Sequence, residues 1–208
     1  MAKKTLVNPW IPNNEVPRDA DPAQPQRTEA VRTLGPSSPQ TATVTAPSDG
    51  GLPIRYLPPE ASAPWWWVGC HGGAGVTTLR SALRSGSDAE RHWPVPADGS
   101  RASVVLVTRT HVSGLRVAQS AARQWAAGAA PVHLLGLVIV ADAPGKLPRP
   151  LQDLVKLVTG GYPKAWAVPW VEDWRLGESL LPAQLPKPVA RLAADLFAAT
   201  SRSPGDTQ

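Results

Sequence analysis

The chain reads Gly69-Cys70-His71-Gly72-Gly73-Ala74-Gly75-Val76-Thr77-Thr78 directly after the apolar run Trp65-Trp66-Trp67-Val68. Clustered glycines followed by two threonines suit the holding of phosphate. Glycines let the backbone turn tightly and aim successive N–H groups inward, and a helix opening at the threonines adds a partial positive charge. A phosphate loop normally carries a lysine directly after its last glycine. Here that residue is Val76. The expected site is a cradle without its main charge, formed by His71, Gly72, Gly73, Ala74, Gly75, Val76, Thr77 and Thr78. His71 and Arg80 are the expected sources of replacement charge, and the Thr77 hydroxyl is the expected contact to a nucleotide-bound Mg²⁺. The alternative is a plain strand-to-helix turn that needs glycines for steric reasons only.

Other residues invite a chemical reading. Arg109, Asp142 and Arg149 follow strand ends and belong at the ligand edge of a parallel sheet. Cys70-His71 suggests metal or thiol chemistry, but no second cysteine exists and His92, His111 and His133 are not at ligand spacing. A small buried residue beside a loop imidazole is the simpler reading. The three tryptophans are either a membrane anchor or base-stacking platform, or core residues on both faces of a covered sheet. Arg116, Arg123, Lys146, Lys156 and Lys164 join the arginines above as a candidate nucleic-acid surface, or as a solvated face.

A working loop needs a strand leading in and a helix leading out. Residues 65–69 read as a buried strand and 77–84 as a short helix ended near Gly86. The β-branched run 103–108 is a second strand, followed by a helix with Ser113 as cap, Leu115, Ala118, Ala122 and Trp125 at helical spacing, and Gly128 as stop. Residues 133–140 form a third strand, and 165–169 a fourth. Leu151, Leu154, Val155 and Val158 mark a helix between them, and Val189, Leu192, Ala193, Leu196 and Phe197 a C-terminal one. A brief edge strand is expected near 91–95. Strands alternating with helices predict an α/β fold: a parallel sheet of about four to five strands with helices on both faces. Ligands of such sheets bind at the carboxyl ends of the strands, where the glycine loop falls.

Composition sets the boundaries. Twelve of the 24 prolines lie in residues 1–64, where no apolar periodicity occurs. Residues 1–60 are therefore expected to be a disordered Pro-rich arm, 61–200 the folded domain and 201–208 a disordered tail. Within the arm, the aromatic–aliphatic island 8–13, centred on Trp10 and Ile11, is a candidate docking segment, or a chance cluster. The net charge of +5 sits entirely beyond residue 64, as fifteen basic against ten acidic residues. That excess permits a nucleic-acid or acidic partner without demanding one. One cysteine rules out an internal disulfide and fits a reducing cytoplasm. No signal peptide and no apolar run near the ~20 residues of a membrane helix is present, so no membrane insertion is expected.

The loop His71-Gly72-Gly73-Ala74-Gly75-Val76-Thr77-Thr78 resembles that of the MinD/ParA group of P-loop ATPases, which runs Lys-Gly-Gly-x-Gly-Lys-Thr-Thr. Val107-Thr108-Arg109-Thr110-His111-Val112-Ser113 is similar to the family's strand ending in Thr before a Ser-capped helix. Leu135-Gly136-Leu137-Val138-Ile139-Val140 resembles the strand leading to its adenine-contacting loop, and Val168-Pro169-Trp170-Val171-Glu172-Asp173 its late strand ending in Pro and an acidic residue. The similarity covers residues 65–200, with the loop as the one fairly specific motif. Both family lysines are missing, replaced by His71 and Val76, Cys70 stands at the first loop glycine, and no strand is expected to end in the water-positioning Asp. Loss of one such electrostatic group typically costs about 2.7–4 kcal/mol of transition-state stabilisation. The resemblance thus implies a short, degenerate, actinobacterial-type member: it binds ATP or ADP with Mg²⁺ and hydrolyses little or none. It further implies a cytoplasmic accessory subunit, with dimerisation allowed, whose protein partner belongs to a plasmid-maintenance, conjugative-transfer or secretion machine. The alternative is a nucleotide-free scaffold acting through its arm and sheet edge, and a DNA-binding module is a third.

Overall fold

A computed structural model describes residues 35–178 and 184–201 of the chain. Its elements run β1 (Ile54–Leu57), β2 (Trp66–Gly69), α1 (Val76–Leu83), β3 (Ser87–Asp88), β4 (Trp93–Pro96), β5 (Ser103–Arg109), α2 (Val112–Ala126), β6 (His133–Val140), α3 (Arg149–Thr159), β7 (Ala165–Val168), α4 (Glu172–Arg175) and α5 (Lys187–Thr200). The continuous apolar runs became strands of one wholly parallel sheet, in the order β3-β2-β5-β6-β7. A separate pair, β1 and β4, is also parallel. This is the expected α/β class.

Runs of β-branched residues are tolerated here because both faces of the sheet are covered. On one face Val68, Val104, Leu106, Leu137 and Ile139 pack under Leu115, Ala118, Ala122 and Trp125 of α2. On the other, Trp67, Val105, Val107, Val138 and Val140 pack under Leu79 and Leu83 of α1 and Val189, Leu192 and Leu196 of α5. Alternation explains the tryptophan triplet. Trp65 and Trp67 are fully buried on the second face, edge to face at 5.8 Å, while half-buried Trp66 packs on the first. The core reading holds, and neither a membrane anchor nor a stacking platform is available from buried rings.

Strand β6 carries Leu134 and Leu137 on the same face although three positions separate them. A register irregularity between Val104 and Val105 opposite Gly136 produces the shift. A Cβ at Gly136 would run into the Lys164 carbonyl and the Trp166 ring, so only glycine fits the bulge.

Four expectations need correction. The arm was expected to extend through residue 60, yet the chain is packed from residue 35 onward. Gly35 N–H donates to Tyr162 O (2.9 Å), Gln40 N–H to Ala126 O (2.7 Å), and Leu52 and Leu57 are buried. Gln124 of α2 clamps this segment: its Nε2 donates to Leu52 O (2.9 Å) while its Oε1 accepts from Leu52 N–H (2.9 Å) and Trp93 Nε1–H (2.8 Å). Residues 1–34 and 202–208, with Trp10 and Ile11, lie outside the described residues. Second, the edge strand expected at 91–95 is β4, which pairs with β1 rather than with the main sheet. Third, α2 is capped by His111, not Ser113: the His111 backbone is extended and its Nδ1 accepts from Gly114 N–H at 3.0 Å. Fourth, one strand does end in Asp. The two-residue β3 closes at Asp88, but that carboxylate accepts from Glu90 N–H (2.7 Å), and the residue lies in register with Trp67, short of the Gly69 end of β2.

Candidate functional site

The sheet order places a reversal between β2 and β5. From β2 the chain leaves through α1 on one face to β3, and from β5 through α2 on the other face to β6. The crevice at the carboxyl ends of two such strands is where open parallel sheets bind ligands. Two connections meet there, the glycine loop after β2 and the turn after β5.

The loop starts at Cys70, whose buried backbone N–H donates to Val107 O of β5 (2.8 Å). Burial in an apolar layer pushes the Cys70 thiol well above its ordinary value. It stays protonated and chemically quiet. Gly72 and Gly73 are exposed, Ala74 turns inward, and Gly75 adopts φ +105° as the first residue of the helix entry. Leu79 N–H is bonded to Gly75 O (3.0 Å), and no side chain caps α1. The first backbone donors of α1 therefore have no capping side chain, and a helix start of that kind can donate to an anion.

The expected charges separate on inspection. Val76 joins the apolar layer of α1 and touches the inner side of the loop near Gly69, so the position that should reach phosphate is turned into the core. Arg80 is exposed on α1 and is not among the residues lining the groove beside the loop. Arg149 is exposed at the start of α3 and is not brought to the loop. His71 does sit at the crevice, but as a neutral ring. Its Nε2 accepts from the Arg109 backbone N–H (3.2 Å), and its Nδ1 lies 2.9 Å from Gly72 O, a geometry that fits the Nδ1–H tautomer. Desolvation holds its pKa below the ordinary histidine value, and neighbouring His111 and Arg109 push the same way. The His71 and His111 rings lie 4.5 Å apart over Gly114, where any side chain would strike both imidazoles.

Arg109 is the charge that the structure brings to the loop. Its Nε donates to Gly73 O (2.8 Å), and its Nη1 lies 3.5 Å from Ala141 O and 3.6 Å from Asp142 Oδ1. Asp142 is tied back through its own N–H to Thr110 Oγ1 (3.0 Å). Arg109 and Asp142 thus meet beside the loop, where β5 and β6 end.

Beside them opens a groove of about 550 Å³, solvent included, lined by Gly75, Thr78, Arg109, Trp170, Trp174 and Arg175 among others. A second hollow of about 530 Å³ runs along α1 between Thr77, Ser81, Trp174 and Glu178. The Thr77 side chain faces this second hollow. Trp170, Trp174 and Arg175 were absent from the sequence-derived site. Their signal was available in part: a strand ending at Val168 followed by Pro169 delivers the next residues to the carboxyl edge of the sheet. The short helix α4 that turns Trp174 and Arg175 back over the groove has only four residues and no periodicity to detect.

Among the described residues no group of three or more His, Cys, Asp or Glu is placed to hold a metal ion, and no helix is long and apolar enough to cross a membrane.

The profile of a family of unknown function, DUF6668, matches residues 63–192, a span from just ahead of β2 into α5. The chain belongs to this family. Comparison with curated proteins finds no match, and comparison with solved structures finds none.

Proposed function

We propose that this member of DUF6668 is a degenerate MinD/ParA-like P-loop protein that binds ATP or ADP with Mg²⁺ and hydrolyses little or none of it. One observation carries the reading: the glycine loop joins a buried parallel strand to a helix at the sheet reversal, with Gly75 left-handed at the helix entry and an aromatic groove beside it. Trp170 and Trp174 offer faces for a planar base, and the uncapped start of α1 offers donors to its phosphates. Val76 buried in the core and a neutral His71 argue for static binding rather than turnover, because phosphoryl transfer needs positive charge at the transferred group. The resemblance assigns Thr77 to a nucleotide-borne Mg²⁺; Thr77 lines the second hollow, and its neighbour Thr78 lines both that hollow and the groove.

By the family resemblance the protein serves in the cytoplasm as an accessory or regulatory subunit. Its partner is a protein of a plasmid-maintenance, conjugative-transfer or secretion machine, and Trp10 and Ile11 are the proposed docking residues. A second reading, a scaffold that has given up nucleotide, gains weight from Val76, which is buried in the apolar layer under α1, and from Arg109, which already engages Gly73 O. Calorimetry of the full chain with MgATP and MgADP separates the two. Heat of binding abolished by Gly75→Val supports the first reading, and absence of heat at millimolar nucleotide supports the second.

A further inference from the structure

We infer that Arg109 is the cation of the phosphate site, delivered from β5 in place of the missing loop lysine, and that Asp142 is its competing partner. The inference rests on the nucleotide reading above and assigns its charge.

Four candidate cations lie near the loop and its groove, and Arg109 is the one held against the loop. Arg175 lines the groove from the short helix α4, is exposed, and makes no hydrogen bond to the loop among the described residues. His71 gives its Nε2 lone pair to the Arg109 backbone N–H, so it cannot gain a proton there without losing that bond. Arg80 is exposed and does not line the groove. Arg109 ends a strand hydrogen-bonded in register to β2, the strand that launches the loop, so its backbone is fixed relative to Gly72–Gly75. Its Nε holds Gly73 O at 2.8 Å, which sets the guanidinium plane against the loop rather than out in solvent. The side chain is 29% exposed, so the head is partly desolvated yet reachable from the groove.

The fork is not saturated. Nε is used by Gly73 and Nη1 reaches Ala141 O and Asp142 at the long distances of 3.5 and 3.6 Å, while Nη2 has no hydrogen bond among the described residues. A guanidinium presents five donors in a plane suited to two oxygens of one phosphate. Asp142 is 45% exposed and its contact is beyond hydrogen-bonding distance, so it screens the charge without tying it down. A phosphate entering between Gly75, Thr78 and Arg109 would replace a weak ion pair by a charge-assisted bond.

The ligand class is a nucleoside di- or triphosphate, and the test uses MgADP and MgATP on the full chain at two salt concentrations. Arg109→Met should weaken binding roughly 10–100-fold, the loss typical of one charge-assisted bond. Arg109→Lys should recover most of that loss, since it keeps the charge while giving up the Nε contact. Asp142→Asn should tighten binding by roughly 1.5–5-fold, the size of an exposed ion pair released. Should Arg109→Met fail to fold, the Lys and Asn variants carry the test. Wild-type binding that Arg109→Met leaves unchanged overturns the assignment and spares the nucleotide reading. Binding lost equally in the Met and Lys variants, with melting unchanged, makes Arg109 a loop tether and also overturns it. No wild-type binding of either nucleotide, with none gained by Asp142→Asn, removes the nucleotide reading itself and the assignment with it.

Discussion

Replacing Gly75 by alanine isolates the conformational demand of the loop. At φ +105° and ψ 9° an L-residue pays roughly 1–2 kcal/mol relative to glycine. Crowding adds little, because a Cβ there would meet only Val140 Cγ2 at 3.5 Å, an ordinary contact. Stiffening the unfolded chain returns about 0.4–1 kcal/mol. The net expectation is a loss of about 1 kcal/mol, which for a chain of this size lowers Tm by roughly 2–4 °C. Gly72→Ala is the control: it has no positive φ and nothing within 4 Å of the new Cβ, so it should be neutral or slightly stabilising. Urea and thermal unfolding of the two variants side by side give the answer. Equal stability of Gly75→Ala and Gly72→Ala would refute the left-handed helix entry, and with it the cradle.

Purified protein should hydrolyse ATP no faster than buffer, in a phosphate-release assay; turnover that disappears with Thr77→Ala would show that other groups replace the lysine. Val76→Lys should lower Tm rather than restore activity, because the ammonium must enter the apolar layer where Val76 is 8% exposed. Gln124→Ala leaves the Leu52 N–H and C=O and the Trp93 indole N–H without their partner, so it should cost about 1–3 kcal/mol and speed proteolysis within residues 35–60; a protease map unchanged by the mutation would contradict the packing of that segment. His71 has a depressed folded-state pKa, so below its ordinary value of about 6.5 the unfolded chain binds the extra proton and stability falls with falling pH. His71→Asn should flatten that slope in chemical denaturation at pH 5–7, and an unchanged slope would assign it to other groups.

The parallel sheet was legible because its strands are covered on both faces and so carry unbroken apolar runs: 133–140 matches β6 residue for residue, and 103–108 misses β5 only by Arg109. The Trp65–Trp67 triplet was legible for the same reason, through alternation. Short elements were not. β3 and α4 have two and four residues and no period to read, and α4 brings Trp174 and Arg175 to the groove. The packed segment 35–60 was hidden by its prolines, since its order comes from a distant side chain, Gln124, and from pairing with β4. His111 as a helix cap escaped because histidine rarely serves there. Of the candidate site residues, Arg109 and Asp142 lie beside the loop. Arg80 and Arg149 do not line the groove, because position after a loop or strand does not fix the direction in which a side chain points.

The most direct test of the account is a calorimetric titration of the full chain with MgADP. Binding is predicted, weakened by Gly75→Val and by Arg109→Met, with both variants still folded. A flat titration at millimolar nucleotide, accompanied by no shift in Tm, would contradict it and leave a nucleotide-free scaffold in its place.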